Sequence, residues 1–424
     1  MTYADDRMSG RLGMPCFVGD PGPGFIRPLG AGEHFFNLYA QVWPVHFCMC
    51  AEIDGWIRPE LLRRALDEVR ERHPVLGARI VNAAVFGAAL YRSCIPLPFE
   101  IAAVGKDAGW RRAVESELRK PMPVEEDAML RLTAVYAPDR TAIILTFHHA
   151  VADGMSGAAV LGDLLRALAG ERLEALPFPL CIEEKILGPS VFNAPTPWPN
   201  EITGVPQQPA KDLEPSVLTA AFTREETSRL RDRCRTNGTT IQGAICAAAA
   251  RHLPLSERGA AGIICPISLR RAAGIEDGAC GVFIGAASLD LAVNQFGPIW
   301  SDAARAMRMI SQARSPEAVR DFISGITAGF PPTAGTKTLR AFFAATPPSA
   351  LVISNLGVLP IAERYGPFAV NAVWGPVMLT NLPADRQTLG VSTFAGRLRL
   401  VQQSYRPIVG LLPAIRETLW AALD

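Results

Sequence analysis

Apolar positions along the chain switch between two periods. In IRPELLRRALDEVRERHP, Leu62, Leu66 and Val69 line one face and charges cover the other, which predicts a helix that Pro59 opens and Pro74 ends. Thr141–Phe147, TAIILTF, is a short run of β-branched and large apolar residues and reads as a buried strand. In the stretch after it, SGAAVLGDLLRALAG, Val160, Leu161, Leu164, Leu165 and Leu168 recur at helical spacing up to a stop at Gly170. FFNLYAQVWPVHFCMCAEI (35–53) reads as strand material, Val75–Ile80 as the start of an extended segment, Trp110–Leu118 as a helix, and MLRLTAVYAP as a further strand.

From Leu176 to Pro215 the texture changes. LPFPL, NAPTPWPN and GVPQQPAKDLEP are dense in proline and lack helical periodicity, so 176–215 reads as an ordered connection. It divides the chain into an N-terminal half, 1–175, and a C-terminal half, 216–424, and 424 residues are ample for two domains. The second half opens with a strand, then a helix over 224–235, a turn at Asn237-Gly238 and a helix from Thr240. A helix near Asp302–Ala313 follows the strand-like AGIICPISLRRAAG. ALVISNLGVL and FAVNAVWGPV also read as strands, and LGVSTFAGRLRLVQQSYR as two strands turning at Ala395-Gly396. Both halves mix strands with helices, an α/β (α+β) texture.

Composition narrows the function. Charged residues are 20% and apolar ones 49%, suited to sizeable cores. Forty-two basic residues against 41 acidic ones leave a net charge of +1, which argues against a nucleic-acid or anionic-membrane footprint. No apolar run is long enough to span a bilayer, so no stable membrane insertion is expected. The polar start MTYADDRMSG lacks the apolar core of a secretory signal. Nine scattered cysteines without a CxxC pair then suggest reduced, buried thiols in a cytoplasm, with Cys48 and Cys50 on one face of a strand. GDPGPG (19–24) lacks the strand and lysine context of a phosphate loop.

The candidate chemistry lies in HHAVADG, His148–Gly154, where the strand TAIILTF opens into the helix. Such a junction lets a side chain face a cleft while the strand fixes its position. Histidine titrates near neutrality and serves well as a general base. Asp153 could orient that base directly, as in a catalytic triad, or hold the loop. Gly154 fits a turn needing close backbone approach. A pair of satisfied structural histidines is the bland alternative.

HHAVADG fits HHxxxDG. The chain thereby resembles the CoA-dependent acyltransferase superfamily, which includes chloramphenicol acetyltransferase, the condensation domains of nonribosomal peptide synthetases and plant BAHD acyltransferases. LLRRALDEVRERHPVLGARI resembles the early helix and HPxLR segment of condensation-like proteins. CPISLRRA resembles their central strand, and LVISNLGVL the SNLG strand of free-standing members. In style and length the chain is most similar to bacterial polyketide-associated acyltransferases of the phthiocerol dimycocerosyl transferase type. NAVWGPV keeps only the Trp-Gly core of the plant DFGWG segment, and the intact histidines argue against heterocyclisation.

The resemblance implies two chloramphenicol acetyltransferase-like halves in a V with a central channel, the histidine motif midway, and donor and acceptor entering from opposite faces. It implies His149 as general base, with His148 holding the loop, and Asp153 in a structural ion pair with Arg270 (Arg271 being the alternative). It also draws attention to Ser354 and Asn355 of SNLG, which read equally well as a satisfied strand end. Trp374 reads as core or channel wall. The implied reaction moves an acyl group from a CoA or carrier-protein thioester to a hydroxyl, or an amine, with no bound cofactor or metal. An acyl or peptidyl carrier protein is then a candidate partner of a monomeric enzyme. A peptide-forming condensation enzyme and an inactive carrier-docking scaffold are the competing readings.

Overall fold

The computed structural model describes residues 23–83, 87–106, 109–122, 129–189, 213–332, 334–346, 349–380 and 385–423. Most of the proline-rich connection, 190–212, and the start of the glycine-rich piece, 19–22, lie outside the described residues. In chain order the first part gives β1 (Phe25–Pro28), α1 (Ala31–Val42), β2 (Phe47–Asp54), α2 (Pro59–Arg72), a 3₁₀ turn at Pro74–Gly77, β3 (Ala78–Ala83), β4 (Gly87–Arg92), β5 (Phe99–Val104), α3 (Trp110–Glu117), β6 (Leu130–Tyr136), β7 (Arg140–Phe147) and α4 (Gly154–Leu168). After α5 (Ile182–Leu187) come β8 (Ser216–Ala221), α6 (Arg224–Thr236), α7 (Ile241–Ala250), β9 (Ala260–Ser268), α8 (Arg270–Ala273), β10 (Ile284–Ala292), α9 (Trp300–Gln312), α10 (Pro316–Gly329) and α11 (Thr336–Ala345). The chain closes with β11 (Leu351–Val358), β12 (Arg364–Tyr365), β13 (Phe368–Met378), β14 (Gln387–Phe394), β15 (Arg397–Ser404) and α12 (Leu411–Ala421).

The stretch read as continuous strand from 35 to 53 divides instead into helix α1 and strand β2. Ala31, His34, Leu38 and Val42 form a buried stripe at helical spacing, but polar side chains share that face and hide the period. Glu33 accepts from the Gly30 amide at 2.8 Å and pairs with Arg27 at 2.7 Å, so its charge is satisfied where it is buried. His34 Nε2 lies 3.0 Å from the Ala334 carbonyl.

Two six-stranded sheets carry the fold, in the orders β12-β13-β2-β7-β6-β5 and β10-β9-β11-β14-β15-β8, beside a small sheet β1-β4-β3. In the first, β2, β7 and β6 run antiparallel and β5 pairs parallel with β6. β13 pairs antiparallel with β2, placing Val373 against Ala51 and Trp374 against Cys50. Residues 364–378 of the stretch read as the second half therefore complete the first sheet. Trp374 is fixed there by an Nε1 hydrogen bond to Glu52 at 2.7 Å and by stacking on Trp110.

Each sheet has its own core. Leu62, Leu66 and Val69 of α2 and Val160, Leu161, Leu164 and Leu165 of α4 pack on the first sheet; α7 and α9 pack on the second. A third apolar cluster, including Cys48, Cys50, Ile144, Val377 and Val401, lies between the sheets. The sheets meet at β13 and β14. A side chain at Gly390 would place its Cβ 1.9 Å from the Pro376 carbonyl oxygen, closer than any atom can sit, so only glycine permits this crossing.

Candidate active site

The loop His148–Asp153 leaves the buried end of β7 and turns into α4. Its geometry is held from both sides. Asp153 is fully buried and caps α4, accepting from the Ser156 amide at 2.7 Å. Its other oxygen accepts from the Phe283 amide at 3.0 Å, and the Asp153 amide donates to the Gly281 carbonyl at 3.0 Å. Ser156 Oγ accepts from the Gly281 amide at 3.0 Å. Two chain segments more than a hundred residues apart in sequence are thus joined edge to edge.

Arg270 is buried at the start of α8. Its Nη2 donates to Asp153 at 3.1 Å and to Ser156 Oγ at 2.7 Å. Nη1 donates to the carbonyls of Glu276 and Ala279 at 3.2 and 2.9 Å, and the Phe283 ring lies 4.8 Å from the guanidinium carbon. An arginine can hold a carboxylate with two parallel bonds. The guanidinium instead makes one: Ser156 Oγ and two backbone carbonyls take the other Nη donors, and Nε is buried without a hydrogen bond. Arg271, the alternative, has an exposed side chain.

The two histidines face different surroundings. His148 is buried, and its Nδ1 accepts from the Ala150 amide at 3.2 Å, which places the ring proton on Nε2. Burial, with the nearby His46 and His149 rings, pushes its pKa down to about 3. His149 lies flat against Phe36, ring centroids 3.8 Å apart and planes 2° from parallel, with Phe47 at 5.2 Å. Its Nδ1 is buried, without a hydrogen bond of ordinary geometry. Burial pushes its pKa down to about 4, against weaker upward pulls from its own carbonyl, Asp153 and the Ala152 carbonyl. The ring is therefore neutral at physiological pH, with a lone pair free to take a proton.

His149 borders a cavity of about 380 Å³. The parallel strands β9 and β11 pair only at Leu351–Ile263 and Val352–Ile264. Beyond those pairs, Cys265–Ser268 of β9 and Ser354–Gly357 of β11 form part of the cavity wall. Phe47, Gly154, Met155, Gln242, Arg314, Pro376 and Thr388 complete much of the rest. Gly154 leaves room that a side chain would take, since a Cβ there would sit 2.8 Å from Leu356 Cδ2. Asn355 spends its side-chain oxygen on the Gly357 amide at 2.8 Å, a turn at the end of the strand, while its residue still faces the cavity.

His149, Gly154, Ser354 and Asn355 are thus brought to one cavity; His148, Asp153 and Arg270 form the scaffold behind it, and Trp374 lies apart. Phe36, Phe47, Gln242 and Thr388 carry no motif, and only the fold assigns them to the site; Cys265 opens the CPISLRRA segment, which does not by itself mark it as a site residue. A larger cavity, about 480 Å³, lies elsewhere between His73, Leu176–Leu180 and Ile275–Phe283 and contains none of the motif residues. Among the described residues no group of three or more His, Cys, Asp or Glu side chains is arranged to hold a metal, and no helix is long and apolar enough to cross a membrane.

No protein-family model matches the chain. One stretch of 124 residues, 28% of the chain, is 28% identical to a nonribosomal peptide synthetase, ivoA, of Emericella nidulans; the match spans 7% of that protein's length. Solved structures align over nearly the whole chain. Polyketide synthase associated protein 5 from Mycobacterium tuberculosis aligns at 18% identity and a TM-score of 0.66, covering 95% of this chain and 99% of that one. The first condensation domain of the CDA synthetase gives 17%, 0.68, 95% and 97%. Trichothecene 15-O-acetyltransferase from Fusarium sporotrichioides gives 14%, 0.62, 93% and 94%. The fold is that shared by condensation domains and CoA-dependent acyltransferase-like proteins.

Proposed function

We propose that this protein transfers an acyl group from a thioester, carried by CoA or by an acyl carrier protein, to a hydroxyl of a small-molecule or lipid acceptor, with His149 as general base. One observation carries the reading: the second histidine of HHAVADG borders the cavity, and its ring is neutral at physiological pH. A neutral, positioned imidazole is what removal of a hydroxyl proton requires. The similarity in fold to an O-acetyltransferase and to a polyketide-associated protein supports the same class of chemistry.

In this reading the acceptor oxygen attacks the thioester carbonyl as its proton passes to His149 Nε2. The tetrahedral oxyanion collapses, the carbon–sulfur bond breaks, and the leaving thiolate takes the proton back from the imidazolium. Activation resides in the thioester, so the reaction as written uses no metal or redox group. Asp153 and Arg270 act as positioning residues, holding the His149 loop against the Gly281–Phe283 segment. Donor and acceptor enter from opposite faces, and the 176–215 stretch connects the two halves.

Amide formation on carrier-bound substrates is the second reading, favoured by the stretch similar to a nonribosomal peptide synthetase. The experiment incubates the purified chain with a panel of acyl-CoA thioesters and acyl-loaded carrier proteins, each with alcohol and amine acceptors, and follows thiol release and product mass. Acceptor-dependent ester formation supports the proposal, and amide formation the second reading. Carrier binding without turnover on any pair would leave a docking scaffold in its place.

A further inference from the structure

The wall of the His149 cavity contains a second cluster that acyl transfer does not use. Gln242 and Cys246 lie one turn apart on α7, on one face of that helix, and that face meets Cys265 on β9. The two sulfurs are 3.6 Å apart. Gln242 Nε2 donates to Cys265 Sγ at 3.2 Å and lies 3.6 Å from Cys246 Sγ. Gln242 and Cys265 border the cavity, while Cys246 is fully buried.

The sequence suggested simple packing for these thiols, but an apolar contact has no need of an amide donor. Gln242 directs its N–H groups at sulfur and leaves Oε1 buried without a partner. Hydrogen bonds converging on one sulfur stabilise its thiolate, the reactive form of cysteine. The hydrogen bond with Cys246, with help from Gln242 and the Arg314 charge, holds Cys265 below the usual thiol range despite its burial, and Cys246 is pushed up.

We propose that Cys265 is a hydroperoxide-reactive thiol of the cavity wall, and that Cys246 resolves it to a reversible disulfide. The Cys265 thiolate attacks one oxygen of hydrogen peroxide. The O–O bond breaks, hydroxide leaves and is protonated to water, and the sulfur becomes a sulfenic acid. Cys246 then attacks that sulfur: the S–S bond forms, the S–O bond breaks, and hydroxide departs as water with the Cys246 proton. Two thiols and one peroxide thus yield one disulfide and two waters, and a dithiol reductant reverses the change. Closing the sulfurs to about 2.05 Å draws Cys265 towards α7 and removes the acceptor of the Gln242 amide. The shape of the cavity wall then depends on oxidation, whatever reaction the cavity supports.

The test treats the full chain with limiting hydrogen peroxide, alkylates the remaining thiols with iodoacetamide under denaturing conditions, and maps the peptides without reduction. The expected result is a cross-linked Cys246–Cys265 peptide, formed before the exposed Cys94 is modified and lost on treatment with dithiothreitol. In Cys246→Ser, dimedone should trap a sulfenic acid on Cys265. Gln242→Leu should slow oxidation of Cys265 about tenfold, the change in thiolate fraction for a rise of about one pKa unit. If both cysteines remain fully alkylated after Cys94 has been oxidised, the proposal is wrong. The wild-type peptide map decides between these outcomes even where a variant fails to fold.

Discussion

Replacing Asp153 with alanine should be among the most damaging single changes outside the hydrophobic cores. Asp153 accepts from the Ser156 and Phe283 amides and from Arg270, all within 3.1 Å and all buried. Removing one partner of a buried ion pair costs about 3–5 kcal/mol. Arg270 retains Ser156 Oγ and the carbonyls of Glu276 and Ala279, so its charge stays partly solvated by fixed dipoles, which favours the lower figure, about 3 kcal/mol. Two amides left without acceptors add about 1 kcal/mol each at the low end of their range. Asp153→Ala should therefore destabilise the fold by about 5 kcal/mol. Asp153→Asn, which keeps the shape and one acceptor, should cost roughly half as much. The assay is urea unfolding of Asp153→Ala, Arg270→Ala and the double variant, with turnover measured on the folded fraction. The expected coupling between the two sites is about 2 kcal/mol. Single-variant losses that add to within about 0.5 kcal/mol would show that the residues do not support one another. Asp153 would then return as a direct partner of His149.

His148→Ala should lose about 2 kcal/mol of stability through a buried cavity and the lost Ala150 contact, while turnover of the folded protein stays within about tenfold of wild type, measured by unfolding and by rate. The His148 and His149 pKa values lie near 3 and 4 in the folded chain, below the ordinary value of 6.5, so the unfolded chain binds protons first as pH falls. Their contribution to stability should be full above pH 6.5 and decline as pH falls to about 4 for His149 and about 3 for His148, seen as a smaller pH slope of unfolding in the His148→Ala variant. Gly390→Ala should cost about 3 kcal/mol or more, because its Cβ meets the Pro376 backbone rather than a side chain that can turn away; thermal unfolding checks it.

Much of this fold is local in origin and legible for that reason. Helix α2 begins at Pro59, α6 at Arg224 and α7 after its Thr240 cap, as their patterns require. The β14–β15 hairpin turns at Ala395-Gly396, with φ of 52° and 69°. The histidine loop could be located because strand, motif and helix are contiguous. What depends on distant contacts was not legible. Helix α1 buries Glu33, His34 and Asn37 beside its apolar residues, and no periodicity of hydrophobic positions reveals such a helix. That β13 pairs with β2 rather than with strands of its own half, and that Gly390 admits the close approach of Pro376, are recorded in no local pattern. Phe36 stacks on His149 across more than a hundred residues of chain. The resemblance implied the pairing of Arg270 with Asp153, but the backbone carbonyls that share the guanidinium leave no signature in side-chain identity.

Whether His149 takes the proton of the acceptor is tested most directly by the turnover of His149→Ala against wild type. The comparison uses the thioester and acceptor pair that gives the highest rate, with thermal unfolding of both proteins measured in parallel. With His149 as the base, the fold should be unchanged and turnover should fall by about 10²–10⁴-fold. A folded His149→Ala protein that transfers acyl groups at close to the wild-type rate would contradict that role.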